Sequence, residues 1–390
     1  MNARQLLLLP LLMIGASLMV GLLYVTLPLI ADLAQRWQVT AGQASWAGSA
    51  FGFAYAAGFL LLGRLSDRYG RRRVLLSSLA AMALTSVAVA GSVSFTMLLG
   101  ARALQGLVAA AFPPAALALV AEALPPARRA LGISLLSFAF LAAAPLAQFL
   151  AAQSAGWGLP VIMAAVAAAG VLLSAALAIV LPPAAPTSVH TAVPPQAATA
   201  GPERQSGLVG VWLAALTVLF VFVTFHAGAQ AMKLAATDLQ ILRLAGLPPL
   251  LLSIAAARLV RHIGTVATAR AGFVIAAAGL LTGAPGHFGG LVAASVLLSA
   301  GVALAVPGLI GTLALRTAPA GRARAMSIYT FALFVGASLA PPTAQVLAPL
   351  GWLALMLTPA VALSCAVAIV GGLPMLLLHR SSSASEASSP

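Results

Sequence analysis

The stretch GRLSDRYGRRR, residues 63–73, sets a dense cluster of charge between two runs that carry none, 51–62 and 74–93. Charges pressed between long apolar segments belong at a membrane surface, so the cluster is expected in a short loop joining two spans. Gly63 and Gly70 let the backbone turn tightly and approach another helix closely. Asp67 is the only acid among Arg64, Arg68, Arg71, Arg72 and Arg73, and a lone carboxylate there is expected to serve a specific contact.

Composition agrees with that placement. The chain has 390 residues, 62% apolar and 7% charged, with a mean hydropathy of +1.07. A soluble domain would carry roughly 25% charged residues. The chain is therefore read as an all-α integral membrane protein, because apolar runs of about 20 residues match the length a helix needs to cross a bilayer. Twelve transmembrane helices are expected, at 8–31, 43–63, 74–93, 95–121, 131–152, 159–181, 208–230, 239–259, 267–285, 288–313, 325–348 and 352–378. The apolar run ending at Ile30 is longer than the h-region of about 7–15 residues in a signal peptide, and it reads as the first span.

The net charge of +14 reports topology and not a nucleic-acid partner, since the basic residues sit in short connections. Arg4, the five loop arginines, Arg128, Arg129, Arg204, Arg258, Arg261, Arg270, Arg316, Arg322, Arg324 and Arg380 fall on one side, and Arg36, Lys233 and Arg243 on the other. Both termini are thereby expected in the cytoplasm. The single cysteine, Cys365, offers neither a disulfide framework nor metal-ligand spacing.

Six helices fall on each side of one break. Residues 1–181 form a first half, 182–207 a flexible linker rich in Pro, Ala, Ser and Thr, 208–380 a second half and 381–390 a disordered tail. A repeat supports the halves. RALGIS from Arg129 aligns with RAMSIY from Arg324 at a spacing of 195, which also carries Gly156-Trp157 onto Gly351-Trp352 and Gly106 onto Gly301. The opening motif has a faded copy, where Arg64, Leu65 and Gly70 correspond to Arg258, Leu259 and Gly264 but Asp67 becomes Arg261.

Gly63, Leu65, Asp67, Arg68, Gly70, Arg71 and Arg72 match a G-x-L-x-D-R-x-G-R-R/K-x pattern and resemble the loop between spans two and three of major facilitator superfamily transporters, in their drug and sugar efflux branch. The resemblance implies two six-helix halves with a substrate site between them near the midplane. It implies that Glu122 pairs with Arg71, while Asp67 faces the start of the eleventh helix near Arg324 to Ser327 and holds the halves together as a gate. Residues 102–106, RALQG, resemble the fourth-span R-x-x-Q-G motif implicated in proton coupling and substrate handling. The fifth span departs from the exporter pattern, because SFAFLAAAPLAQFL keeps Pro145 without the glycines of Gly-Pro-x-x-Gly-Gly. Alanines there still permit close helix packing.

Other residues are weighed on their physics. Arg102 lies about 10 Å into the hydrocarbon, where a charge costs on the order of 3 kcal/mol, so it is expected to face the protein interior with Gln105 and Gly106 on its face. Tyr24 and Thr26 fall in the outer half of the first span, a helix that the resemblance implies lines the cavity. Asp32 ends that helix, as a proton site or as an i,i+4 partner of Arg36. His226, with Gln230, closes the seventh span as a proton relay or an interfacial residue. Tyr55 and Trp46 read as cavity or interface residues, and Phe220, Phe222 and Phe225 as packing.

The acids Asp32, Asp67, Glu122, Glu203, Asp238 and Glu386 all lie off the midplane. That favours neutral or anionic cargo over cations. The expectation is a secondary transporter of small molecules in a bacterial inner membrane, acting as a monomer in the bilayer. It is expected to run proton-linked efflux on the proton gradient, without cofactor or metal. The alternatives are an uncoupled facilitator or importer and, from another class, a transporter-like sensor or scaffold. No nucleotide loop, metal cluster or paired carboxylates point to an enzyme.

Overall fold

The computed structural model describes residues 3–63, 65–181, 202–318 and 321–370, and no strand occurs among the described residues. Arg64, positions 182–201 of the expected linker, the last eight residues of the expected twelfth span and the tail lie outside them. Ten helical stretches are long and apolar enough to cross a membrane. One of these, Arg322–Val370, contains two helices, and the shorter Leu7–Gly21 adds another, giving twelve passes among the described residues.

The first span consists of α1 (Ala3–Gly21) and α2 (Ile30–Trp37) around a 3-10 turn at Leu27–Leu29. The second is α3 (Ala41–Leu62), and the third, α5 (Arg71–Ala90), follows the short α4 (Leu65–Tyr69). The fourth divides into α6 (Phe95–Ala109) and α7 (Phe112–Ala123), and α8 (Pro126–Gln153) and α9 (Gly158–Val180) complete the first half. In the second half α10 (Pro202–Ala231) precedes a divided eighth span, α11 (Ala236–Ala245) and α12 (Leu252–Ile263). Then come α13 (Thr265–Gly283), α14 (Phe288–Arg316), α15 (Arg322–Leu347) and α16 (Gly351–Val370).

Sequence explains most of these limits. Thr40 and Gln43 form a reciprocal cap at the start of α3, the Gln43 amide donating to Thr40 Oγ1 at 3.1 Å and the Thr40 amide to Gln43 Oε1 at 2.9 Å. Ser94 caps α6 through the Met97 amide at 3.1 Å. Gly70 starts α5 with φ +86° and Gly264 starts α13 with φ +86°, so the faded copy of the motif keeps its turn although its carboxylate is gone.

Several expectations require correction. The motif is no open loop, because 65–69 are helical and Arg71 already opens α5. Spans one, four and eight are not single helices. Pro28, Pro113-Pro114 and Pro248-Pro249 lack the amide donors a continuous helix needs, and each restarts the chain at a new helical segment. Residues 202–207 belong to α10 and not to a linker. Gly158 at the start of the sixth span and Gly351 at the start of the twelfth both take positive φ, at a spacing of 193. Gly106 and Gly301 share a role but not a neighbour: a Cβ would lie 2.1 Å from the Phe51 carbonyl oxygen at the former and 2.4 Å from that of Gly272 at the latter.

Among the described residues the halves meet along several seams. α3 runs beside α15, α8 crosses α11 and α12, and the turn at Leu27–Leu29 touches α10. On the first seam Tyr55 packs edge-on against Phe334 at 4.6 Å between centroids, and Phe59 stacks on Phe334 at 5.6 Å. Ser49 Oγ donates to the Ser338 carbonyl at 2.6 Å. Ala142 of α8 packs with Leu250 and Ala303 on the second, so the alanines of the fifth span do sit in a close interface. The end carrying residues 63–73 is the motif end.

Candidate functional site

At the motif end one guanidinium organises the cluster. Arg71 donates from Nε and Nη2 to Glu122 Oε1 at 3.2 and 3.1 Å, and from Nη1 to Ser66 Oγ at 2.6 Å and to Asp67. It thus ties α4, α5 and the end of α7 within the first half. Arg72 Nη2 donates to the Ala178 carbonyl near the end of α9 at 3.1 Å, where unsatisfied carbonyls collect. Arg68 stacks its guanidinium 5.4 Å from the Tyr69 ring.

The Arg71–Glu122 pair is formed, while no hydrogen bond joins Asp67 to the start of α15 among the described residues. Its bond, among the described residues, is to Arg71, and its side chain is 63% exposed. Gly63 is what approaches α15, since a Cβ there would lie 3.4 Å from Ser327 Oγ. Exposed pairs of this kind contribute about 0–1 kcal/mol, so Asp67→Asn is expected to leave Tm nearly unchanged. Lost flux at an unchanged Tm would assign Asp67 to gating, and wild-type flux would remove it from the cycle.

Deeper in the first half lies Arg102, fully buried on α6. Its Nε donates to the Ala47 carbonyl at 3.1 Å, Nη2 to the Leu22 carbonyl at 2.7 Å and Nη1 to Gln105 Oε1 at 2.6 Å. The Phe51 ring lies 4.5 Å from the guanidinium carbon, a cation–π contact. Gln105 Nε2 continues the chain of bonds to Ser86 Oγ at 2.7 Å, and Gly106 lets α6 close onto α3. Leu22 sits where the first span departs from helix, so the arginine takes up a carbonyl exposed by that break. Arg102 therefore faces inward and joins spans one to four.

The remaining candidates separate. Tyr24, Thr26 and Tyr55 are buried, and Tyr55 belongs to the aromatic seam with its hydroxyl unpartnered, while Trp46 is 44% exposed and stacks on Phe53. Asp32 is exposed on α2 and makes no ion pair with Arg36, whose guanidinium instead lies 5.3 Å from the Trp37 ring. His226 is buried in the protein. Its Nδ1 donates to the Phe222 carbonyl at 2.9 Å, and its ring lies among Phe222 and Phe225, both packed in the core.

The sequence reading missed two features. Arg243 was placed among residues of the far side, yet it is buried on α11 and donates to Gln230 Oε1 at 2.8 Å and Gln240 Oε1 at 3.3 Å. The signal was present: Arg243 stands seven residues into its helix, as Arg102 does, with a glutamine three positions away. Gln148, Thr224, Ser299 and Tyr329 carry no motif signal in the sequence. Each has a buried polar atom without a partner, and with Tyr55 and His226 they come from helices of both halves.

Comparison with known proteins follows the same outline. The chain is 32% identical over 179 residues to the tetracenomycin C resistance and export protein of Streptomyces glaucescens, covering 43% of this chain and 33% of that protein. It is 46% identical over 65 residues to a triacylglyceride transporter of Mycobacteroides abscessus, 17% of this chain and 13% of that protein. The chain thus spans a third or less of the length of these relatives. The crystal structure of the human organic anion transporter MFSD10 (TETRAN) superposes with a TM-score of 0.70 at 19% identity, over 95% of this chain and all of the other, which shows a common fold. The Major Facilitator Superfamily family model matches residues 12–237, more than half of the chain. Together with the twelve passes among the described residues and the motif at residues 63–73, that match places the chain in the major facilitator superfamily, as a multi-pass membrane protein.

Proposed function

We propose that the chain exports a small neutral or anionic molecule across the bacterial inner membrane by alternating access, linked to the proton gradient, with both termini in the cytoplasm. The observation that carries the direction is the likeness to an export protein over 43% of the chain. The chemistry of the interior supports the cargo class. Arg102 and Arg243 are buried without a carboxylate within 4.0 Å among the described residues, and a cationic cargo would meet repulsion there. The unpartnered hydroxyl and amide groups on both halves supply hydrogen bonds to a polar substrate.

The acids favour a second reading. Asp32, Asp67 and Glu122 are exposed and Asp238 is partly exposed near the start of α11, so none of these four carboxylates is buried in a span. An uncoupled facilitator needs none. Asp32 and His226, Asp67 and Glu122 at the motif end, or the substrate itself would carry the proton in the coupled reading.

Reconstituted vesicles with an imposed pH gradient test the proposal. Substrate-dependent proton movement is expected in the wild type, reduced in His226→Phe or Asp32→Asn according to which group serves. Substrate flux without proton movement would establish the facilitator instead.

A further inference from the structure

The two buried arginines stand at the same depth, seven residues from the starts of α6 and α11, or about 10 Å along each helix axis. They are held differently. Arg102 commits its donors to two backbone carbonyls and Gln105, and the carbonyls cannot move aside without undoing the packing of spans one and two. Arg243 is 3% exposed, and its recorded acceptors are two neutral amide side chains, Gln230 and Gln240, each free to rotate away. No carboxylate of the described residues lies within 4.0 Å. A guanidinium has five N–H donors in a planar fork and keeps its charge, so a buried one facing only neutral acceptors is poised for an anion.

Beside it lies a polar atom with nothing to bind. Gln230 and His226 are four residues apart on α10 and share one face. His226 is 4% exposed and uses Nδ1 as the donor to Phe222, which makes Nε2 the acceptor nitrogen, and Nε2 has no partner. Ser299 Oγ is buried and unpartnered as well, and a Cβ on Gly246, just past the end of α11, would come within 2.8 Å of it. The helices that carry the cluster border the other half, since α10 meets the Leu27–Leu29 turn and α11 meets α8.

We infer that Arg243, Gln230 and His226 form a subsite for a carboxylate-bearing small molecule. The carboxylate displaces the glutamine oxygens and takes the fork of Arg243 in two parallel hydrogen bonds, while His226 Nε2 accepts a hydrogen bond from a donor on the same molecule. The inference rests on the transport reading above and narrows its cargo to acids. Arg102, by contrast, holds the first half together.

Purified full-length protein, heated in detergent with matched acids and primary amides, tests this. The probes are benzoate with benzamide, 3-hydroxybenzoate with 3-hydroxybenzamide, and octanoate with octanamide. Acids are expected to raise Tm more than their amides. Arg243→Gln is expected to weaken acid binding roughly 10- to 100-fold and to abolish the preference, and Arg243→Lys to keep part of it. Should Arg243→Gln fail to fold, Gln230→Ala decides, since removal of the competing acceptor is expected to enlarge the acid-induced shift. An unchanged preference in Arg243→Gln, a reduced shift in Gln230→Ala, or no preference for acids in the wild type overturns the subsite. Flux in the vesicle assay is read separately, so the subsite can fail while export stands, and absent flux defeats the export reading whatever the acids do.

Discussion

Arg102→Ala is expected to lower the stability of the folded protein by about 3 kcal/mol and to abolish transport. The substitution leaves the carbonyls of Leu22 and Ala47 and the Gln105 side chain without their donor. Each orphaned buried acceptor costs roughly 1–3 kcal/mol, partly offset by relief of the cost of about 3 kcal/mol for holding a charge at that depth. Arg102→Lys keeps the charge but loses the planar fork that spans two carbonyls at once, so it is expected to restore less than half of the loss. Thermal unfolding in detergent, with flux measured well below both transitions, checks the pair. Wild-type Tm in Arg102→Ala would show that spans one to four do not depend on this side chain.

Gly52→Val is the second large effect expected. Gly52 lies on α3 where it meets α15, and a Cβ there would stand 2.1 Å from Ser338 Oγ, 2.8 Å from Leu23 Cδ1 and 3.1 Å from Ser338 Cβ. Ser338 cannot step aside cheaply, since its hydroxyl donates to the Phe334 carbonyl at 2.6 Å and its own carbonyl accepts from Ser49. Overpacking of this kind costs about 1–3 kcal/mol. Because the cost falls on the arrangement with α3 and α15 in contact, populations should shift roughly 5- to 150-fold toward the separated one. Spin labels at Gln43 and Val346, both exposed, are expected to report longer distances in the variant, with flux reduced by a similar factor. Gly100→Val is the control, since nothing lies within 4 Å of its Cβ position. Identical distance distributions in Gly52→Val and wild type would mean that this seam does not set the equilibrium.

The course of the chain through the membrane was legible because it depends on apolar length, which sequence displays directly. The breaks were not, although Pro113-Pro114 and Pro248-Pro249 mark two of them. Pro145, Pro307, Pro341 and Pro342 all remain inside helices, so proline alone does not decide where a span divides. The pairing of Arg71 with Glu122 was legible through a resemblance, yet the engagement of Asp67 depended on which rotamers share one guanidinium, and no motif records that. Arg102 was found by its depth. Arg243 escaped because Lys233 and Asp238 nearby made its segment look interfacial, and burial depends on how α10 and α11 close over it.

Two of the three divided spans give the molecule a difference in stiffness between its two ends. The joints at 22–29, 110–111 and 246–251 lie near the middle of their spans; span four divides almost evenly, whereas in spans one and eight the longer segment is on the motif side, α1 over α2 and α12 over α11. Hydrogen-bonded helix resists bending, whereas a joint with freed carbonyls turns on a few soft torsions. The protein is thus a rigid base bearing a jointed rim. Motion at the rim can be taken up by short segments such as α2 and α11, while motion at the base must carry whole helices with it, so the two mouths of the transporter have unequal compliance.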